Sequence, residues 1–396
     1  MYNEIHYMRM ISMLFFLENL LNLPKVSIRN VIQEGKEAFL VLNCEEEEVK
    51  CNYCGSLSDE LHQTNNILVK DLPISGQTVY LKVPRRKFYC KECQRFFTEN
   101  LEFMEAGRKY TVRYEEYIYE RVNVSSVEQV KREESLSWDQ VHGIYQRQCE
   151  SKKKDWQGVK CLGIDEISKR KGHQNFVTVV GDLEKGELME VIDSHQQDEI
   201  MEVLMEQPLE VREAVEEVAV DMWGGFPKVI EKVFPNALIV IDRFHVMKAV
   251  NEELNKIRKQ TKLSLKIKGA KWLLLKNKKD LKEEELQKLE LVLKQSNRLR
   301  KAHEYKESFR EIYETINNKE EGRLKFTEWL NKAKEIYTDV IGTIRRHLDP
   351  ICNYFVSRTT NGAMEGINNR LKLIKRQAYG FVNFDNMRNR FLACFS

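Results

Sequence analysis

Three short apolar runs that each lead straight into a carboxylate constrain this chain more than any other feature: Gly163-Ile164-Asp165-Glu166, Val218-Ala219-Val220-Asp221 and Ile239-Val240-Ile241-Asp242. Short runs of this kind, rich in β-branched residues, read as buried strands. Residues 161–164, 176–180, 188–192, 218–220 and 237–241 make a series of such strands, while 199–205 and 227–233 carry helical patterns. The alternation predicts an α/β domain with a parallel or mixed sheet. Strand ends in such a sheet cluster on one rim, so the three acids can converge. Converging carboxylates repel unless a divalent cation neutralises them, and hard oxygen ligands are what Mg²⁺ requires. Two such ions would clamp the attacking and leaving oxygens of a phosphoryl transfer. Any single Asp after a strand is more simply a cap for the next helix; three at once favour convergence.

A fourth acid lies far downstream. A helix beginning near Asn361 would put Met364, Ile367, Leu371 and Ile374 on one apolar face. Glu365, Asn368, Asn369, Lys372 and Arg376 then fall together on another. An acid, two amides and two cations on one stripe suit a metal beside a polyanion. Asp165 and Asp221 are 56 residues apart, about what three strands and a helix need, whereas 144 separate Asp221 from Glu365. That is too long for a connecting loop, so the helical stretch between them is an insertion. Its middle is basic: from Asn251 to Arg310 there are 18 Lys and Arg against 9 Asp and Glu, a local net of +9. The whole-chain balance of 64 against 61 hides this excess. It tilts an ordinary solvated helical face toward one that meets phosphates.

Toward the N-terminus, Cys51-x-x-Cys54 and Cys90-x-x-Cys93 sit in a region whose residues 38–43, 78–83 and 86–89 read as strands. Two-residue spacing lets both thiolates of a pair reach one metal. Two pairs supply the four-sulfur shell of a structural Zn²⁺ site with no open position. Nine Cys, an odd number scattered through a large chain, point to a reducing compartment rather than a disulfide framework. Arg85, Arg86, Lys87, Lys91 and Arg95 crowd the second pair, so the ribbon can also touch phosphates. Ser125-x-x-Glu128 and Ser137-x-x-Gln140 are two capping boxes. They predict helices over about 126–134 and 138–149 joined by a turn at 135–137, the outline of a DNA-reading helix-turn-helix. Gly143 weakens the second helix somewhat. Gln140, His142 and Arg147 on its polar side, and Lys152, Lys153 and Lys154 after it, are candidate DNA contacts.

No run approaches the roughly 18 apolar residues that cross a bilayer. Residues 11–17, interrupted at Glu18 and continued by Leu20, Leu21 and Leu23, read as one face of an amphipathic helix and not as a signal peptide. A secreted or membrane protein is therefore not expected. Nor is a nucleotide-binding α/β enzyme, since no G-x-G-x-x-G or G-x-x-x-x-G-K run follows a strand.

The order zinc ribbon, helix-turn-helix, GIDE, VDMW, IDRFH and a late TTNGAMEGINNRLKLIKRQAYGF resembles the ISL-three family of bacterial insertion-sequence transposases over nearly the whole chain. Residues 163–166, 220–223, 241–246 and 359–381 are the specific part. The resemblance implies a ribonuclease-H-like fold with a DDE triad and an all-helical insertion before the Glu. Carried across, Asp165, Asp221 and Glu365 are the catalytic residues and the ligands of Mg²⁺ or Mn²⁺. Asp242-Arg243-Phe244-His245 matches the Asp-x-x-His motif of related transposases, which gives Asp242 and His245 supporting roles. Lys372 matches a basic residue after the Glu, and Asn368, Asn369 and Arg376 become DNA contacts. Whether Asp221 or Asp242 is the second metal ligand stays open, although counting strands favours Asp221. Trp272 can stack on an unpaired base as aromatics do in related enzymes, but anchoring leucines 273–275 in a core is its plainer role.

The expected architecture is multidomain α/β. An N-terminal helix and a four-cysteine zinc ribbon occupy 1–104 and a helix-turn-helix 105–157. A ribonuclease-H-like mixed sheet spans 158–250 and 346–396, interrupted by a basic helical insertion at 251–345. The expected function is Mg²⁺-dependent DNA cleavage and strand transfer by a transposase in the bacterial cytoplasm. It would bind double-stranded DNA, both terminal inverted repeats and target, as a homodimer or higher homo-oligomer, away from membranes. Two alternatives share these features: a DNA-binding regulator with an inactive nuclease-like domain, and a host recombination nuclease of the same fold.

Overall fold

The computed structural model describes residues 16–170, 174–222, 225–261, 267–378, 380–381 and 383–395. Residues 11–15 of the expected N-terminal helix and Trp223 of the VDMW segment lie outside them, while 16–21 are helical. The chain forms two compact units that divide between Lys153 and Lys154.

The first unit is built on β1 (Val26–Glu34), β2 (Glu37–Cys44), the short pair β3 (Val49–Lys50) and β4 (Leu57–Ser58), the long strands β5 (Leu61–Ile74) and β6 (Gln77–Cys90), and β7 (Arg95–Thr98). The main sheet has the order β1-β2-β6-β5, with β7 also paired to β6. Val79, Leu81 and Val83 alternate inward with Val69 and are fully buried. Ser75 and Gly76 close the β5–β6 hairpin with φ of 50° and 77°. Two successive positive φ values match the twist of the flanking strands. The sequence reads 78–83 and 86–89 as two strands, but they form one, running through Pro84. Proline is tolerated there because β6 changes neighbours on that side. Its pairing with β2 ends at Lys82 and its pairing with β7 begins at Lys87, so no ladder partner awaits the missing N–H.

Three helices complete this unit: α1 (Val112–Val124), α2 (Val127–Glu134) and α3 (Trp138–Ser151). Thr111 caps α1 and donates its hydroxyl to Asp71 at 2.7 Å, fastening the helix to β5. The cap of α2 is Ser126, one residue later than its expected box, because Ser125 turns back to bond Arg121 O and finish α1. Ser137 and Gln140 form the expected reciprocal box on α3. Between α2 and α3, Ser135 turns the chain in the left-handed region at φ 52°. Ile118, Val130, Val141 and Ile144 seal the three helices together.

The second unit carries β8 (Cys161–Arg170), β9 (Gln174–Asp182), β10 (Glu187–Ile192), α4 (Gln197–Met205), α5 (Leu209–Glu213), β11 (Glu217–Val220), α6 (Phe226–Val233) and β12 (Leu238–Ile241). There follow α7 (Arg243–Thr261), α8 (Ala270–Leu275), α9 (Glu283–Leu293), α10 (Asn297–Thr315), α11 (Lys319–Ala333), α12 (Asp339–Arg346), α13 (Leu348–Ser357), α14 (Gly362–Gln377) and α15 (Phe384–Ala393). The sheet order is β10-β9-β8-β11-β12. The first three strands are antiparallel, and β8, β11 and β12 run parallel. The sheet is covered on both faces. Leu162, Ile164, Val218 and Val220 share a core with α4, α6 and helices α7 to α13, whereas Ile167, Val177 and Val179 pack against Met364, Ile367 and Leu371 of α14 and Phe391 of α15. Between β12 and α14 every described element is helical, held by rings such as Phe309, which lies 4.6 Å from Trp329 and 4.9 Å from Phe326.

Candidate active site

Register builds the site. Ile164, Val220 and Ile241 lie side by side on three adjacent parallel strands. The residues that follow them are Asp165, Asp221 and Asp242. The first does not end its strand as the sequence suggests: β8 continues to Arg170, with Asp165 opposite Val179. The antiparallel pairing with β9 extends β8 past the point where its parallel partner stops. Side chains alternate across a strand, so Gly163, Asp165 and Ile167 all face α14. A Cβ on Gly163 would come within 2.3 Å of Met364 Cγ, and this bare position lets α14 lie directly on β8.

Asp165 is held by α14. Asn368 Nδ2 donates to Asp165 Oδ2 at 2.6 Å, while the amide of Glu166 donates to Oδ1 at 2.8 Å. Asn368 is thus buried, yet it lines the same cleft as Glu365 and Lys372, its neighbours on the polar stripe that helical spacing predicts. Glu365, Asn369, Lys372 and Arg376 of that stripe are exposed. Asp221 lies 3.1 Å from His245 Nδ1 and also accepts from the amide of Met222 at 2.5 Å. Asp242 is buried and its carboxylate takes the amides of Phe244 and Asn361, which makes it the cap of α7.

A cleft of about 580 Å³ gathers these groups. Asp165, Asp242, His245, Glu365, Asn368 and Lys372 all line it, and Asp221 meets it through His245. Among the lining residues that the sequence did not mark as site residues are Asn361, read only as a helix start, and Arg310, which arrives from α10 of the insertion with no local signal. Asn361 is 5% exposed with both side-chain polar atoms lacking partners, and Asn368 Oδ1 is likewise unpartnered. Burial raises Asp165 and Asp242 above the ordinary carboxylate range, with the charge of Asp221 adding to it. Burial also raises Glu166. For His245, burial opposes protonation, but the bond to Asp221 and the charges of Asp221, Asp242 and Asp165 outweigh it and raise its pKa. A cluster of carboxylates under mutual strain, with spare amide oxygens beside it, has the donor chemistry for a hard divalent cation.

The four cysteines of the ribbon are drawn together more tightly. The sulfurs of Cys51, Cys54, Cys90 and Cys93 all lie within 4.8 Å of one another. Cys51 is 3.7 Å from Cys93 and Cys54 is 3.5 Å from Cys90. A tetrahedron with Zn–S bonds of about 2.3 Å has edges of about 3.8 Å, so the thiolates fit Zn²⁺. Gly55 at φ 80° and Gln94 at φ 58° close the two turns. Among the described residues this is the one group of three or more His, Cys, Asp or Glu drawn so close; the acids of the cleft are more open.

The remaining basic candidates are placed unevenly. Gln140, Lys152 and Lys153 are exposed, although the Gln140 carbonyl caps Ser137 and Lys152 reaches Glu116 at 3.0 Å. His142 stacks on Trp138 at 4.3 Å. Arg147 turns inward to Glu115 at 2.5 Å. Lys154 donates to Phe395 O at 2.7 Å and is mostly covered. Trp272 is not a core anchor: it is 49% exposed, and Lys276 lies over its ring at 4.4 Å, because leucines 273 and 274 fill the core from the same short helix.

Residues 162–391, more than half of the chain, match a family model described as Transposase, that of the ISL-three DDE enzymes. Residues 47–93 match the zinc-finger of the transposases of IS204, IS1001, IS1096 and IS1165. The transposase for insertion sequence element IS1001 of Bordetella parapertussis is 25% identical over 362 residues, covering 88% of this chain and 89% of that one. The transposase for insertion sequence element IS1557 of Mycobacterium tuberculosis is 25% identical over 253 residues, 56% of each chain. No described helix is long and apolar enough to cross a membrane.

Proposed function

Because the chain belongs to the ISL-three family of DDE transposases, we propose that it cleaves DNA at the ends of its own insertion sequence and joins those ends to a target by metal-dependent phosphoryl transfer. The observation that carries this reading is the common register of β8, β11 and β12. It sets Asp165, Asp221 and Asp242 along one rim, with Glu365 on the same cleft. The strand order and two covered faces also support a ribonuclease-H-like catalytic domain, split by the helical insertion.

In this reading Asp165, Asp221 and Glu365 hold Mg²⁺ or Mn²⁺. Two such ions supply Lewis-acid activation of the attacking oxygen and charge stabilisation of the leaving one. The chain's own residues do the rest by positioning. Asn368 fixes the orientation of Asp165, and His245 does the same for Asp221. Asp242, as the cap of α7, places His245 one turn along, so its role is to orient. Lys372 and Arg310 present cations to the phosphates of the strand in the cleft. The attacking groups are water at first and then a DNA 3′-hydroxyl. The zinc ribbon and the α2–α3 pair, acting as a helix-turn-helix, read the terminal inverted repeats, and the basic insertion holds flanking or target DNA. Joining two ends at once calls for a dimer or larger assembly.

The test is cleavage of a labelled duplex carrying the gene's flanking repeat in Mg²⁺, with Asp221→Asn, Asp242→Asn and Glu365→Gln beside wild type. Cutting at the repeat end that Asp221→Asn and Glu365→Gln abolish, and Asp242→Asn only weakens, is the expected result. Specific binding without cutting in either Mg²⁺ or Mn²⁺ would overturn it.

A further inference from the structure

Asn361 stands immediately before α14, where an asparagine ordinarily caps a helix by accepting the N–H two or three residues on. It does not do so here. Its backbone lies at φ −78° and ψ 18°, outside the extended region that a capping residue uses, and no side chain caps the first turn of α14. The main chain of Asn361 is engaged: its N–H donates to Asp242, and its C=O accepts from the amide of Glu365 at 3.0 Å. The side chain is not. The residue is 5% exposed, and among the described residues neither Oδ1 nor Nδ2 has a hydrogen-bond partner. Because both ends are unpartnered, this holds whichever way the amide is turned. Residues 361, 365, 368 and 372 recur at helical spacing and all four line the acidic cleft, with Gly362 beside them. An amide buried in a cleft with both ends unsatisfied marks where a polar ligand belongs.

The two ends of the amide ask for different things: the oxygen a cation or a donor, the nitrogen an acceptor. A divalent cation alone would serve Oδ1 and leave Nδ2 without an acceptor. A phosphate alone would serve Nδ2 and the uncapped amides of α14, a helix end that attracts anions, but would leave Oδ1 facing negative charge. A phosphate with a cation bound to it serves both ends at once. We propose that Asn361 and the uncapped start of α14 form a seat for one phosphodiester of the DNA strand in the cleft, an inference that rests on the reading of that cleft as a DNA-cleaving site. Nδ2 and the first-turn amides donate to the phosphate oxygens, and Oδ1 faces the cation that Glu365 holds. Lys372 and Arg310 line the same cleft and add charge, whereas the amide adds direction. It fixes which oxygen of the phosphate turns toward the cation, the alignment on which phosphoryl transfer depends. An asparagine buried without partners weakens the free protein; here it is kept for the contact it makes when DNA is bound.

The zinc-loaded full chain is titrated against a labelled duplex carrying the gene's flanking repeat, in Ca²⁺ to allow binding without turnover. Each phosphate within two nucleotides of the repeat end is replaced in turn by an uncharged methylphosphonate. At one position wild type loses affinity about tenfold. Asn361→Leu is close in size and still gives its main-chain N–H to Asp242. It is expected to bind the native duplex about tenfold more weakly, and to lose less than about twofold more at that position. Asn361→Asp keeps an oxygen for the cation but no donor for the phosphate. It should bind the duplex as poorly as Asn361→Leu, yet only Asn361→Leu should raise the Ca²⁺ concentration needed for half-maximal binding, by about threefold. Without DNA or added divalent ions, Asn361→Leu should melt about 2–4 °C above wild type, because an unsatisfied amide has gone. Losses that multiply instead of merging, a melting temperature below wild type, or a wild type indifferent to every methylphosphonate overturns the seat and spares the catalytic reading. Losses that merge, in a protein that never cuts in Mg²⁺ or Mn²⁺, keep the seat and sink the catalytic reading. Failure to bind the repeat overturns both.

Discussion

The four cysteines of the ribbon and the three acids proposed to hold Mg²⁺ at the cleft, Asp165, Asp221 and Glu365, are assembled in opposite ways. Each cysteine pair is made by a turn of a few residues, and one hairpin brings the two pairs together. Their sulfurs are spaced as the corners of a tetrahedron, leaving no position open. The acids come from the middle of β8, the end of β11 and a helix 200 residues beyond the first of them. They stand apart around a cleft of about 580 Å³ with spare amide atoms beside them. A closed shell suits a metal that folds a domain; an open one suits a metal that must also meet a substrate.

The sharpest way to break this contrast is to remove each metal's ligands in turn. Cys90→Ser, or chelation of zinc, is expected to unfold the ribbon outright. The binding energy of a structural zinc is folding energy, on the order of 10 kcal/mol in zinc-finger peptides. Proteolysis should then cut freely between residues 45 and 100 while the 154–395 unit persists. A ribbon that stays protected without zinc would sink the closed-shell assignment. Asp165→Asn is expected to do the reverse: cleavage falls about a thousandfold, while circular dichroism and zinc content stay those of wild type. If instead it lost structure, Asp165 would belong to the fold rather than to the chemistry.

The same contrast explains what could be read in the sequence. Local features were legible because local geometry makes them: the Cys-x-x-Cys turns, the Ser137 box, every strand of the second sheet, and the apolar face of α14 at Met364, Ile367, Leu371 and Ile374. What escaped depends on neighbours distant in sequence. Pro84 sits inside a strand because two different strands flank β6 there. Asp165 is mid-strand because β9 outlasts β11 beside β8. Asn368 is the buried member of its stripe because it donates to Asp165, 203 residues earlier. Arg310 reaches the cleft only through the packing of the insertion, which periodicity does not reveal. The roles of the acids came from family resemblance and the grouping of three similar motifs, since any one of them reads equally well as a cap, and Asp242 does cap α7.

A third, smaller effect probes how the distant acid is brought in. Glu217, at the start of β11, is buried and accepts hydrogen bonds from the hydroxyls of Ser357 and Thr359, 140 and 142 residues away. Those residues immediately precede Asn361 and α14, so this carboxylate latches the segment that delivers Glu365. Glu217→Gln keeps the shape but weakens both charge-assisted bonds. Cleavage should slow by about tenfold, the equivalent of about 1.4 kcal/mol, and the Mg²⁺ concentration needed for half-maximal rate should rise. A slower rate at unchanged metal requirement would show that the latch does not position the acid.

The smallest effect is thermodynamic and has opposite signs at the two centres. Burial raises Asp165 and Asp242 above their unfolded values of about 3.9. A carboxyl with a raised folded pKa holds its proton more tightly when folded. Stability therefore declines as pH climbs from about 4 through the folded pKa, and stays reduced above it. At pH 7.5 without divalent ions these acids thus strain the second unit, where the thiolates strain the first only if zinc is withdrawn. Mg²⁺ should relieve the strain, and Asp165→Asn should relieve part of it with no metal present. Each is expected to raise the melting temperature by about 2–4 °C, the shift that ~1 kcal/mol produces in a unit of this size. The Asn variant should gain less from Mg²⁺ than wild type, and the advantage of the variant should vanish below about pH 4, where the carboxyl is protonated in both states. Calorimetry across that pH range decides it. A variant less stable than wild type at pH 7.5 would mean that the bonds from Asn368 and the Glu166 amide outweigh the cost of burying the charge, and the cleft would then be as settled without its metal as the ribbon is with one.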